Sequence, residues 1–161
     1  MDDLQGDLAQ ATHARNYANG RDAFAAAQCA LCHRFGDEGG AIGPDLTSIG
    51  SRFTARDILE SIIDPSKVVS EQYANEEFKM KDGAAVIGRI VAETPEAYTV
   101  RPSLLAPDMQ EVKKANVVSH GPSKVSPMPP GLISTLSKED VLDLLAYLAS
   151  GGKEEAVAFK K

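Results

Sequence analysis

The residues best equipped for chemistry lie together in Cys29-Ala30-Leu31-Cys32-His33. Two thiols at this spacing sit on one helical turn. Both can reach the vinyl-derived carbons of a haem and form thioethers, while the next residue projects an imidazole at the iron. C-x-x-C-H is therefore a specific signal for covalent haem attachment, here of one haem c. Two other chemistries use such cysteines. A dithiol redox centre wants a βαβ setting and has no need of the following histidine. A zinc site wants two more Cys or His ligands at comparable spacing, and the only other histidines are His13 and His120.

A low-spin electron carrier needs a second axial ligand opposite His33, and four methionines are available. Met1 is terminal, Met80 falls in an alternating stretch and Met109 near a strand start, where packing is the expected role. Met128 stands in Ser126-Pro127-Met128-Pro129-Pro130, a stiff segment ahead of a helix. His120 is its rival, approaching along the same stretch. His–Met ligation would raise the reduction potential and bis-His ligation lower it. His13 precedes the folded part and reads as a solvated residue.

Residues 1–17 form a polar, Ala-rich lead-in. Gly20 to Gln28 has strong helix formers and one large apolar residue, Phe24, and runs straight into Cys29. Residues 36–50, rich in Gly and containing Pro44, read as a loop. Thr54-Ala-Arg-Asp57 is a capping box ahead of Ile58, Leu59, Ile62 and Ile63, and Asp64-Pro65 ends that helix and opens another. After Tyr73 the period changes to alternation. Phe78 and Met80, a turn at Asp82-Gly83, and strands over Ala85–Ala92, Ala97–Arg101 and Met109–Lys114 predict an antiparallel insert over 74–118. Pro122 to Pro130 is too proline-dense for helix or central strand. Ser137-Lys-Glu-Asp140 caps a last helix carrying Val141, Leu144, Leu145 and Leu148, with Gly151 as its stop and 153–161 as a charged tail.

The order Gly20-x-x-x-Phe24, Cys29-x-x-Cys32-His33, Gly43-Pro44-Asp45-Leu46, Met128-Pro129 and Leu144-Leu145-Ala146-Tyr147-Leu148 resembles class I cytochromes c over about residues 18–150. Asp64-Pro65-Ser66, the insert and Met128-Pro-x-Gly131-Leu132 look more narrowly like a haem-binding domain attached to large dehydrogenase-like proteins of planctomycete-type bacteria. The resemblance implies a mainly α fold, a helical domain over 18–152 around one haem, interrupted by the small β insert. It implies that the Pro44 carbonyl accepts the other ring N–H of His33, fixing its tautomer. It further implies Gly20 and Phe24 packed on Tyr147, Met128 in the second ligand position, and Arg52 against a haem propionate, a role Tyr73 or Arg89 could also fill. The insert, absent from compact members, would cover a haem edge, dock a partner or mediate dimerisation.

The 161 residues carry 17 basic and 23 acidic side chains, a formal charge of −6. With no basic stripe to displace counterions, nucleic acid is an unexpected partner. A redox protein with a positive docking patch, or a fused dehydrogenase domain, is expected instead, and an oligomer is compatible. No run of about 18 apolar residues spans a membrane. The opening Met1-Asp2-Asp3-Leu4-Gln5 lacks signal-peptide character, so an exported, periplasmic setting implies a leader already removed or a piece of a longer chain. The function expected is one-electron transfer without substrate turnover. A peroxidase-like haem enzyme or a gas sensor with a displaceable sixth ligand is the alternative.

Overall fold

The computed structural model describes residues 8, 11, 13–102 and 107–160. They form two compact units, one of Met1–Pro65 with Pro130–Lys161, the other of Ser66–Pro129.

The first unit holds three α-helices among the described residues: α1 (Tyr17–Ala26), α2 (Ala55–Ile63) and α3 (Lys138–Ser150). Between α1 and α2, β1 (Arg34–Phe35) and β2 (Glu38–Gly39) pair as a minimal antiparallel hairpin. Each helix begins where a side chain can satisfy an otherwise orphaned backbone N–H. The Asn16 side chain accepts from Asn19 N. Thr54 with Asp57, and Ser137 with Asp140, form reciprocal capping boxes. α2 ends at Asp64, and turns rather than a further helix follow Pro65. α3 stops at Gly151, whose φ of 66° suits a residue without Cβ.

Every residue of α3 from Val141 to Leu148 is buried, so this helix is the spine of the unit. α1 crosses it at Gly20, where a Cβ would lie 2.9 Å from both the Asp143 carbonyl carbon and the Tyr147 Cβ. That close approach brings Phe24, Phe35 and Tyr147 into mutual contact, ring centroids 5.1–5.9 Å apart. Asp143 is a buried charge in this spine, and it is satisfied from α1. Its carboxylate accepts from Asn16 N (3.0 Å) and Asn19 Nδ2 (2.8 Å), with Arg15 Nε at 3.6 Å. After α3 the chain packs back: Phe159 meets the Tyr17 ring edge-on at 5.4 Å, and Arg15 N donates to the Ala158 carbonyl.

The second unit is a five-stranded antiparallel sheet of β3 (Glu76–Met80), β4 (Ala85–Glu93), β5 (Ala97–Arg101), β6 (Gln110–Lys113) and β7 (Val117–Pro122), in the order β6-β5-β4-β3-β7. Asp82 and Gly83 (φ 87°) turn β3 into β4. Phe78, Val100 and Val112 make its core, with Met80, Val86, Ile90, Tyr98 and Val117 packed around them. Strand irregularities at Lys79/Met80 and Ile90/Ala92 bend the sheet. The bend is strong enough for Tyr98 of β5 to touch His120 of β7, across two intervening strands.

The chain is thus not mainly α, contrary to the expectation from resemblance. Among the described residues, three α-helices of 10, 9 and 13 residues fall in the first unit and a five-stranded sheet in the second, giving segregated helical and β parts. The motifs behind the helical expectation all come from short stretches. The alternating apolar pattern after Tyr73 governs a far longer one. β7 also runs past the expected end of the insert at 118, as far as Pro122, the first residue of the segment that reads as too proline-dense for a central strand. At a sheet edge the missing proline N–H costs no ladder bond.

Candidate functional site

α1 delivers the thiols. It ends at Ala27, and Gln28 takes a left-handed φ of 57°, swinging the chain into a 3-10 turn over Cys29–Leu31. A non-glycine residue adopts that region at roughly 1–2 kcal/mol, so hydrogen bonds further along the turn must hold it. Cys32 N and His33 N both donate to the Cys29 carbonyl, at 3.2 and 2.9 Å, which gathers both thiols and the imidazole onto one turn. Both cysteines are free. Burial pushes the Cys29 thiol up to about 11. A dithiol centre needs a thiolate near neutral pH, so this environment is wrong for disulfide exchange. Zinc fares no better: no group of three or more His, Cys, Asp or Glu side chains gathers among the described residues.

The β1–β2 hairpin comes immediately after the turn, and the loop beyond it is zipped back to the attachment turn by backbone hydrogen bonds. Gly40 N donates to Ala30 O, Ile42 N and Gly43 N to Cys32 O, and Leu46 N to Arg34 O, all at 2.8–3.0 Å. This places the Pro44 carbonyl 2.8 Å from His33 Nδ1. A carbonyl only accepts, so Nδ1 carries the proton and Nε2 keeps its lone pair for a metal. Gly43 lies flat against the ring: a Cβ there would sit 2.7 Å from His33 Cε1 and 2.9 Å from Nδ1. In the sequence Gly43 stands only as part of a motif. Its ring-facing role shows in no periodicity.

Arg52 follows the 3-10 turn Ile49–Ser51 and is exposed, its guanidinium 5.8 Å from the Phe53 ring centroid. Cys29, Cys32, His33, Pro44 and Arg52 all belong to the first unit; Met128 belongs to the second. There Met128 is half-buried, its N–H donating to Ser126 Oγ at 3.1 Å, while Ser126 N donates to Ser66 Oγ. Tyr73 and Arg89 are also in the second unit, and His13 is exposed.

His120 is not on a loose approach. It is a β7 residue opposite Phe78, stacked on that ring at 5.2 Å, with Nδ1 2.9 Å from Glu76 Oε2 and Nε2 3.2 Å from the Tyr98 hydroxyl. Both ring nitrogens are therefore engaged within the sheet.

The attachment turn meets the chemical demands of haem: two unpaired thiols, an oriented imidazole with a free Nε2, and a glycine-lined approach to its ring. Comparison with known proteins agrees. The Cytochrome c family model matches residues 17–89, a span running from the start of α1 into β4 and containing both Cys29–His33 and Gly43-Pro44. No curated protein matches the chain. Residues 17–89, a little under half of the chain, are thus similar to a cytochrome c domain. Among the described residues, no helix is long and apolar enough to cross a membrane.

Proposed function

We propose that this chain is a mono-haem c-type cytochrome domain that passes single electrons and transforms no substrate itself. One observation carries the reading: Cys29, Cys32 and His33 share one turn, with His33 held by Pro44 so that Nε2 is the free nitrogen. Haem bound there supplies reversible one-electron exchange at its iron. The residues of the chain do the rest. Cys29 and Cys32 tether it, His33 ligates it, Pro44 fixes the His33 tautomer, and Arg52 offers an exposed guanidinium to a propionate.

Met128 is our choice for the sixth ligand, from its place between prolines ahead of α3 and from the family order. The engagement of both His120 nitrogens by Glu76 and Tyr98 favours Met128 over the histidine. An exported setting, and service as a relay to a larger dehydrogenase, rest on the narrower resemblance and belong to the same proposal.

The test is an intact mass of protein produced with a c-type maturation system, after acid–acetone extraction. Haem retained by the chain is the expected result. Haem leaving with the solvent refutes covalent attachment. A spectrum insensitive to CO after reduction supports the carrier reading, and ready CO binding supports a sensor or haem enzyme.

A further inference from the structure

We propose that Asp45 and Thr47 are positioning residues that aim the Pro44 carbonyl at His33 Nδ1 and so tune how strongly His33 donates through Nε2. The inference rests on the haem-ligating role of His33 proposed above and goes beyond it, because neither residue touches the imidazole.

A carbonyl points where the dihedrals on either side of its peptide plane send it. The Pro44 ring fixes its own φ but leaves its ψ free, so the plane shared with Asp45 can still swing. Three contacts hold it. The Asp45 carboxylate bridges forward, accepting from Thr47 N at 2.8 Å and from the Thr47 hydroxyl, which is an Asx-type turn that pins the Asp45 backbone. The Thr47 hydroxyl oxygen accepts from Gly36 N at 2.9 Å, tying the turn to the hairpin that follows His33. Leu46 N donates to Arg34 O at 2.9 Å, closing the same link one residue away. The path from His33 through Arg34–Gly36, Thr47 and Asp45 back to Pro44 is therefore a closed ring. Remove the Thr47 hydroxyl and two of its links go at once, leaving the Gly36 N–H to water and Asp45 Oδ1 with the Thr47 N–H alone.

The carboxylate suits this task. Asp45 is held below the usual carboxyl range, first by the hydroxyl and backbone N–H of Thr47 and then by the charges of Arg34 and Arg52, so it stays an ionised acceptor. Charge-assisted hydrogen bonds of this kind are the stronger and more directional ones. The consequence at the metal comes through the His33 hydrogen bond. An Nδ1–H held firmly by a carbonyl makes Nε2 more basic and favours the ferric state. A carbonyl free to swing weakens that bond and favours the ferrous state.

The experiment uses the haem-loaded full chain with Thr47→Val, Thr47→Ser and Asp45→Ala, reading two quantities. One is the reduction potential; the other is the Nδ1–H proton resonance of His33 in the reduced protein. Thr47→Val should favour the reduced form by about two- to fivefold, or about 20–40 mV at 59 mV per decade for one electron, and move the Nδ1–H resonance upfield. Thr47→Ser, which keeps the hydroxyl, should restore both. Asp45→Ala, which removes both Thr47 links to the carboxylate, should move the Nδ1–H resonance in the same direction as Thr47→Val.

Thr54→Val, which weakens the α2 cap without touching the ring of contacts, serves as the stability control and should leave the potential in place. A potential and resonance in Thr47→Val equal to wild type overturn the proposal, as does an equal shift in the Thr54 control. If Thr47→Val does not load haem, Asp45→Ala against wild type decides by the same resonance. Absence of covalent haem in the wild-type chain instead sinks the underlying reading, and the mass spectrum reports that separately.

Discussion

Replacing Gly20 by alanine sets two known effects against each other, and the crossing geometry decides the sign. Within an isolated helix the change stabilises, because glycine in a helix interior costs about 1 kcal/mol relative to alanine. At the α1–α3 crossing the added methyl has no room. It would lie 2.9 Å from the Asp143 carbonyl carbon and 2.9 Å from Tyr147 Cβ. Ordinary carbon contacts fall at about 3.5–4.0 Å. The shortfall is at least about 0.6 Å, and one side of it is backbone that cannot rotate away.

The helices must part, loosening Phe24 against Tyr147 and Asn16 and Asn19 against the buried Asp143 carboxylate. Overpacking of this kind costs about 1–3 kcal/mol, and rigid backbone on one side puts the cost in the upper half of that range. The clash wins, and Gly20→Ala should destabilise the first unit by about 1–2 kcal/mol net. Urea unfolding followed by circular dichroism at the helix band is the assay, because all three α-helices lie in this unit. An unchanged or raised midpoint would show that the helices accept the methyl, and the crossing argument would fail.

Four further outcomes are expected. Met128→Ala should yield a reduced protein that binds CO readily and has a lower potential; an unchanged spectrum would remove Met128 from the iron. His120→Ala should cost the second unit about 1–2 kcal/mol through its lost links to Glu76 and Tyr98 while leaving the haem spectrum alone, and an altered spectrum would transfer the ligand role to His120. In the haem-free Cys32→Ser variant, Cys29 should be alkylated at pH 8 about a hundredfold more slowly than an ordinary thiol, since burial moves it from 9.0 to about 11; an ordinary rate would refute its burial. Asp57 and Asp140 are held below the ordinary carboxyl value of 3.8, each first by its capping hydroxyl. A lowered folded-state value adds stability above the unfolded one that is lost as pH falls through it, so both helix caps should weaken in acid below 3.8, and Asp140→Asn should flatten that acid limb.

What the sequence disclosed was mostly local. The C-x-x-C-H turn, the capping boxes at Thr54 and Ser137, the Gly151 stop and the Asp82-Gly83 hairpin each depend on residues within a few positions of one another. Such features are written in neighbouring side chains and need no knowledge of the fold. The mainly α expectation failed because it was inherited from motifs clustered in the helical unit. β7 and the engagement of His120 are not legible in the same way, because they depend on contacts between residues far apart in the chain: Glu76 and His120 stand 44 positions apart. The ring-facing Gly43 and the Asp45–Thr47 bridge are hidden for another reason. Both sit in a loop, where no periodicity marks which residue faces a ligand and which faces water.

The first unit is sewn from two pieces of chain, residues up to Pro65 and residues from Pro130, and α3 belongs to the second piece. During synthesis the attachment turn therefore emerges well before the helix that completes its hydrophobic support. The sheet of Ser66–Pro129, whose core is its own, comes off the ribosome in between and can fold first. Until α3 arrives, α1 has no spine to lie against, and the segment bearing Cys29 and Cys32 stays open. The turn bearing Cys29 and Cys32 is therefore backed by its hydrophobic support only once the piece of chain from Pro130 has joined the piece that ends at Pro65.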